Sequence, residues 1–502
     1  MRGRRVSRTV ALVAGCLLPV GGTHAQEAGL TKQRDYLKVV KAYAETLMER
    51  GRDTYGAKKT PLFVASLDRK NLAPGNFPGI AGIRAHDRSL HCANPMHDEN
   101  LYQVLYALTK ITGDKKYATE ADKALKFFFE NCQSPVTGLM AWGEHMGWHI
   151  HGERPQTEMR FRGRPLFMHE FYRPWILWDR CHKLAPDAAL KFSKGLWEHQ
   201  IANHETGEFS RHAGWDKHGP GGQNEYPRHG GFYILAWAGA YRETKDPVYA
   251  KAVETLVDMF NRLSPENTGA IPCSSHPARK HIMWPESNLS LAVDLTDAAP
   301  VFPEPLRKKM LERAAKTDKV YQSLKHDFNP KGIGFVAGAD TRTLAALTTG
   351  PWTHTQQWTT GYGKTTDAQA ANICYLRYRQ LADGPAKDGH RKLILESANR
   401  YLDSTPDLTG TIFPGPMGDV IFHMLAAHEI SGDKKYLDRA DVFAGIAIDS
   451  FLTGDSALPR ASSKHEHYEA ITRGDTMMVA LLKLWQVRNK PNLSLDLVYT
   501  DR

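Results

Sequence analysis

Between residues 140 and 213 the chain carries three short polar clusters. They are Trp142-Gly143-Glu144-His145, Met168-His169-Glu170-Phe171 and Phe209-Ser210-Arg211-His212. His145, Glu170 and His212 offer two imidazoles and one carboxylate. That donor set suits a borderline or hard divalent ion with positions left open for substrate oxygens. Arg211 adds a guanidinium beside it. On a uronate polymer, an ion held this way would neutralise the sugar carboxylate and make the adjacent C5 proton more acidic. A base would then take that proton and the 4-linked oxygen would leave. With 23 histidines in 502 residues, a His–Glu–His set also arises by chance, so the residues alone leave other readings open.

The segments around these clusters must bring them together. Apolar residues at helical spacing predict helices over 31–50, 101–108, 118–130, 168–184 and 191–199. In the fourth, Phe171, Trp175, Trp178 and Cys181 form one stripe, which puts His169 and Glu170 at a helix start. Arg211 and His212 fall in a loop. A Pro/Gly-rich stretch through Gly82 holds one strand-like piece, 62–67. A loop of that length in a compact protein is often functional.

A helix–turn–helix unit recurs. Its turn reads Thr112-Gly113-Asp114-Lys115-Lys116-Tyr117, then Thr244-Lys245-Asp246-Pro247-Val248-Tyr249, then Ser431-Gly432-Asp433-Lys434-Lys435-Tyr436. A looser copy spans 371–402. Gly closes one helix in the left-handed conformation and Asp caps the next. The following Tyr packs back on the hairpin. No such hairpin buries its apolar face alone, so the units must stack. The expected fold is all-α dominated: an α/α barrel, or toroid, of stacked helical hairpins with long loops and minor β structure. One such domain is expected over 26–502.

Residues 1–25 read as an export signal. Arg2, Arg4, Arg5 and Arg8 precede a short apolar run, and Thr23-His24-Ala25 is a small-residue cleavage site. Val13-Ala14-Gly15-Cys16 also matches a lipoprotein box, which would put a lipid anchor on Cys16. A periplasmic or secreted location follows. No later run is long and apolar enough to span a bilayer. The leader holds four arginines and no acids, so its removal lowers the formal charge from +10 to +6. A basic balance favours an anionic partner. Without a basic run or a nucleic-acid module, an acidic polysaccharide or oligosaccharide fits better than nucleic acid. The remaining five cysteines are an odd number, widely spaced, and make no disulfide framework.

From about Asn100 to His212 the chain resembles polysaccharide lyase family 2, the metal-dependent pectate lyases with an α/α barrel. The likeness rests on the Thr-Gly-Asp turn, Gly-Leu-x-x-Trp-Gly-x-His ending at His145, His169-Glu170, and Arg211-His212. It implies His145, Glu170 and His212 as ligands of manganese or a similar transition ion, and Arg211 as the proton-abstracting base. Glu144 stands where the family tends to have Gly. The interval from His145 to Glu170 is longer and includes His149, His151 and Arg154. Past His212 the likeness fades.

A guanidinium is an awkward base, because it is normally always protonated. The alternative has Arg211 bind the uronate carboxylate while Tyr226, His229 or Lys217 takes the proton. Tyr226, Arg228 and His229, just before a helix, are candidates to line a sugar site. Trp358 and Lys364 make a second candidate platform, an aromatic face with a cation. His465-Glu466-His467 resembles a ligand triplet of lower rank.

The function expected is metal-dependent cleavage of pectate or polygalacturonate-like chains by β-elimination. The rivals are a lyase for another acidic glycan such as ulvan, a toroid glycoside hydrolase using a carboxylate pair such as Glu144 with Glu170 or Asp98 with Glu225, and a glycan-binding protein without catalysis.

Overall fold

The structure is a computed structural model. It describes residues 34–155, 160–161, 163–165, 167–217, 222–329, 331–350 and 352–502. The expected leader and Cys16 lie outside the described residues. From Asp35 to Arg502 the chain forms one compact unit. Its helices are α1 (Tyr36–Arg50), α2 (Glu99–Thr112), α3 (Lys116–Asn131), α4 (Trp178–Leu184), α5 (Pro186–Gly195), α6 (Pro227–Thr244) and α7 (Pro247–Leu263). The second half adds α8 (Pro285–Ala298), α9 (Leu306–Ser323), α10 (Asp367–Gln380), α11 (Pro385–Leu402), α12 (Pro414–Ser431), α13 (Lys434–Phe451) and α14 (Gly474–Asn489). No described helix is long and apolar enough to cross a membrane.

The helices close into an α/α barrel. In the inner ring α6 packs on α8, α8 on α10, α10 on α12, α12 on α14, and α14 on α2. Helix α4 bridges the remaining gap, touching α3 and α6. Outside them α7, α9, α11 and α13 follow one another, each on its inner partner. Helices α8, α12 and α14 are buried along nearly their whole length. That explains why their sequences lack a clear polar face. Small residues let the inner helices approach closely: a Cβ at Gly418 of α12 would lie 2.8 Å from the Met477 backbone nitrogen of α14.

The three repeated turns share one hydrogen-bonding scheme. Thr112, Thr244 and Ser431 each donate a hydroxyl to the carbonyl four residues back, and each accepts the amide of the following Asp. Asp114, Asp246 and Asp433 then accept the amide two residues on. Gly113, Lys245 and Gly432 all have positive φ. The turn tyrosines are buried as expected; Tyr117 donates to Glu45 at 2.7 Å and Tyr436 to Asn399 at 2.7 Å.

Three expectations need correction. Residues 168–177 are not helical: Met168–His169 is a strand, and α4 begins only at Trp178. Pro174 is the reason, because it lacks an amide hydrogen and disfavours helix at Arg173. The helix expected over 191–199 starts earlier, at Pro186, and its last turn, Leu196–Gln200, opens into a π-helix. The strand-like 62–67 keeps only Ser66–Leu67 as a strand, paired with Tyr468–Glu469 from the far end of the chain.

Buried ion pairs cross the barrel interior. Arg173 meets Asp475 at 3.0 Å and Asp501 at 3.3 Å, Arg473 meets Asp419 at 2.9 Å, and Arg502 meets Asp294 at 2.6 Å. They hold residues 500–502 inside the ring and fix the segment that follows Glu170.

Replacing Asp433 by Ala removes a helix cap. Urea unfolding should show a loss of about 1 kcal/mol, and Asp433→Asn much less.

Candidate metal centre

A strand pair builds half of the centre. Met168–His169 runs antiparallel to Ala213–Gly214, with His169 opposite Ala213. One step further along this register sets Glu170 opposite His212, and Glu170 Oε2 lies 2.8 Å from His212 Nε2. The pair is clamped from below by His169. Its Nε2 accepts from Trp142 Nε1 at 3.0 Å, so its Nδ1 donates to Gln200 Oε1 at 3.0 Å. Gln200 in turn donates to the Ser210 carbonyl at 2.6 Å. Burial holds the His169 imidazole down to about 4, which keeps it neutral. His169 is therefore a positioning group and not a ligand.

The other half arrives on Trp142–His145. Trp142 is fully buried against Phe128, Trp175 and Phe192. Gly143 then passes so close to the Glu170 backbone that a Cβ would sit 1.6 Å from the Glu170 carbonyl oxygen; its φ is +101°. Only glycine meets both demands. The Gly143 carbonyl accepts from Asn94 at 2.7 Å. His145 follows, with Nε2 3.1 Å from Glu170 Oε2 and Nδ1 3.1 Å from Asp87 Oδ1.

Ligand atoms of His145, Glu170 and His212 thus all lie within 4.8 Å of one another. Glu170 Oε2 and His212 Nε2 are buried and make no properly directed hydrogen bond. Atoms bound to one ion at roughly 2.0–2.2 Å would be roughly 3 Å apart, close to the separations seen here. These residues fit a divalent cation. A second triplet, His86, Asp87 and His145, shares His145 with the first.

The electrostatics follow from one buried carboxylate. Burial works to raise Glu170, but Arg211 at 2.7 Å and the two imidazoles hold it well below the usual carboxylate range. Burial would lower His145, yet the carboxylates of Asp87 and Glu170, each 3.1 Å from one of its ring nitrogens, push it up to about 10. Burial also opposes the charge on Arg211, and Glu170 with Glu144 more than restores it, leaving it above the ordinary arginine value. Burial, then the facing carboxylates Glu170 and Asp87, push Glu144 up to about 7.

The expected substrate residues divide. Tyr226 lies under the Arg211 guanidinium, 4.9 Å from its ring centre, and accepts from Arg279 at 2.8 Å. His229 is buried behind Glu170 at 3.4 Å, and burial holds it down to about 3. Arg228 and Lys364 both line a cleft of about 200 Å³, with Glu144, Tyr172, Tyr362 and Arg473. Burial and the neighbouring Arg211 hold Arg228 below the ordinary arginine value. Trp358 is turned away from this cleft. Its ring packs on Tyr401 and Phe443 and its Nε1 donates to Ser404, so it serves the helix packing. Lys217 is exposed at the strand edge. His465 and His467 do not converge on a ligand: His467 meets Glu469 at 2.9 Å and stacks on Phe77. Asp87 and His169 were not foreseen as parts of the centre. Asp87 is far from His145 in the chain and no local pattern links them.

A family model described as periplasmic pectate lyase matches residues 60–233. That span contains His145, Glu170, Arg211, His212, Tyr226, Arg228 and His229, and leaves out Trp358 and Lys364. Among solved structures, a cellobiose 2-epimerase from Bacillus thermoamylovorans B4167 is 8% identical, with TM-score 0.49 over 90% of this chain and 99% of that one. An unsaturated glucuronyl hydrolase specific for heparin is 12% identical, with TM-score 0.46 over 90% and 98%. An α-1,6-mannanase of Salegentibacter sp. HEL1_6 is 12% identical, with TM-score 0.44 over 90% and 100%. At that distance the three say nothing about this chain's chemistry.

Gly143→Ala should displace the Glu170 backbone although it changes no ligand. The expected result is a lower thermal midpoint together with weaker manganese binding in calorimetry. A variant that binds the metal like wild type would show that the close approach is not needed.

Proposed function

We propose that the chain is an exported, carbohydrate-active enzyme, and more narrowly a metal-dependent lyase that cleaves pectate-like uronate chains by β-elimination. The observation that carries this is the convergence of His145, Glu170 and His212 on one point with Arg211 beside them. The family match over residues 60–233 supports the same class. The basic leader and the word periplasmic in the family's description support export.

His145, Glu170 and His212 would hold the ion, manganese or a similar transition metal. A bound divalent cation would neutralise the uronate carboxylate, acidify C5 and draw the charge of Glu170 away from Arg211. Arg211, stacked on Tyr226, first gives one proton to solvent and in its neutral form takes the proton from C5. The C–H electrons form the C4–C5 double bond, the C4–O4 bond breaks, and its electron pair leaves with the oxygen, which takes a proton from solvent water. Arg228 and Lys364 bring positive charge to the cleft and hold carboxylates of the chain. Arg228 also sets a like charge beside Arg211, which favours loss of one proton from the pair. His229 stays neutral behind Glu170 and packs it in place. Asp87 Oδ1, 3.1 Å from His145 Nδ1, would orient that ring by ion pairing and leave Nε2 to ligate.

Each of the two carboxylate pairs named for a hydrolase has one member already taken up. Glu170 is 1% exposed and ion-paired on both oxygens, and Glu225 is fully buried and taken up by Ser275 and the Gln223 amide.

The test is the growth of absorbance in the unsaturated-uronate band on polygalacturonate. It should vanish with chelator and return with added manganese. Arg211→Ala should lower kcat by about 10²–10⁴-fold, the range for loss of a catalytic acid or base. Release of reducing ends without absorbance would overturn the lyase reading. Separately, Asp87→Asn should weaken manganese binding by roughly 10–100-fold, as measured by calorimetry, and excess metal should restore most of the turnover. Unchanged affinity would remove Asp87 from the centre.

A further inference from the structure

On the outer layer of the barrel, α9 carries three cations along one side at intervals of three residues: Arg313, Lys316 and Lys319. They face the loop that follows α7, and together they line a pocket of about 340 Å³. Its lining also includes Ser264, Thr268 and one carboxylate, the exposed Glu266. Like charges at this spacing on a helix repel one another. Neither lysine has an ion-pair partner among the described residues.

Arg313 is the telling residue. It is 2% exposed and has no carboxylate partner among the described residues. It donates to the Gly269 carbonyl at 2.8 Å, to Ser264 Oγ at 3.2 Å and to Thr317 Oγ1 at 3.3 Å, while its Nε is buried without an acceptor. Every other buried arginine among the described residues meets an acid; Arg88 on Glu469, Arg173 on Asp475 and Arg377 on Asp318 are examples. Elsewhere on the same helix, Lys309 bridges Glu254 and Asp258 at 2.9 and 3.0 Å. A charge taken out of water without a counter-ion is costly, and burial alone holds the Arg313 guanidinium down to about 10. An anion from outside would supply the partner that the fold does not.

We propose that this pocket binds an oxyanion, and that the oxyanion is the carboxylate or sulfate of a sugar unit in an anionic glycan. The volume falls in the range of roughly 300–1,000 Å³ typical of small-molecule sites, more than a bare anion needs. Ser264 and Thr268 spend their hydroxyl protons on the carbonyls of Phe260 and Thr341. They therefore offer lone pairs to sugar hydroxyls, while Arg313 and the two lysines offer donors to the charged group. Since the pocket lies among α7, α9 and the loop after α7, and not in the cleft, it would grip the polymer outside the reacting centre.

The choice of a uronate probe rests on the lyase reading; the oxyanion site does not. The experiment is calorimetric titration of the full chain with trigalacturonate and with inorganic sulfate. It is done in an Arg228→Ala background that weakens the cleft, with and without Lys316→Glu and Lys319→Glu. Both lysines are exposed, so the fold should tolerate the change. Arg313→Gln serves as a second variant, checked by thermal midpoint. Trigalacturonate should bind and lose at least tenfold in affinity in the double variant. Sulfate binding that is lost in the same variant, without trigalacturonate binding, would keep the oxyanion site and give it a free anion as ligand. Equal titrations of both probes in both backgrounds, or none in either, would overturn the proposal. An enzyme that fails to eliminate uronates yet shows the lysine-dependent binding would sink the lyase reading and leave this one standing.

Discussion

A carboxylate 1% exposed to solvent is the constraint around which the centre is arranged. Glu170 would be neutral in that setting if nothing answered its charge. Arg211, His145 and His212 do so from three directions. The same carboxylate thereby keeps Arg211 protonated and helps push His145 far above an ordinary imidazole. An incoming cation would have to compete for this arrangement, and it would redistribute every charge in it. In the proposed reaction, that would be the physical link between a bound cation and the basicity asked of Arg211.

The barrel supplies what this cluster needs. Glu170 has little freedom, because its backbone is pressed on Gly143 and its strand is paired with Ala213–Gly214. Three residues later Arg173 is locked between Asp475 and Asp501. Buried ion pairs of this kind give up hydration and are seldom a net gain in stability. Here they specify where α14 and residues 500–502 meet the segment carrying Glu170. Beneath them, Trp142 and its aromatic neighbours give a floor that does not yield. Donor atoms from three separate loops can then be held at nearly bonding distance of one another.

Charge is handled differently in the barrel interior and at one place on its outer layer. Around the barrel axis nearly every buried guanidinium has a carboxylate to answer it. At the outer face of α9 one does not. An unanswered buried cation is a feature that sequence composition hides, since Arg313, Lys316 and Lys319 look in the chain like an ordinary solvated helix face.

The sequence by itself determined the hairpin unit, because its information is local. A hydroxyl, a left-handed residue, an Asp cap and a Tyr within six positions dictate one turn wherever they occur, and three copies demand stacking. It offered His145, Glu170, Arg211 and His212 as one candidate set among 23 histidines, and a family resemblance, not their spacing, gave them roles. Local spacing misled where it met a longer constraint: the stripe from Phe171 to Cys181 reads as a helix, but Pro174 breaks it, and Glu170 leaves a strand instead. Only the tertiary structure decided that Asp87 backs His145, that His169 clamps and does not ligate, that Trp358 faces the packing and Lys364 the cleft. Each of these depends on which segments meet across the barrel. Those meetings are governed by burial and by pairing of charges far apart in the chain, and no window of sequence contains both partners.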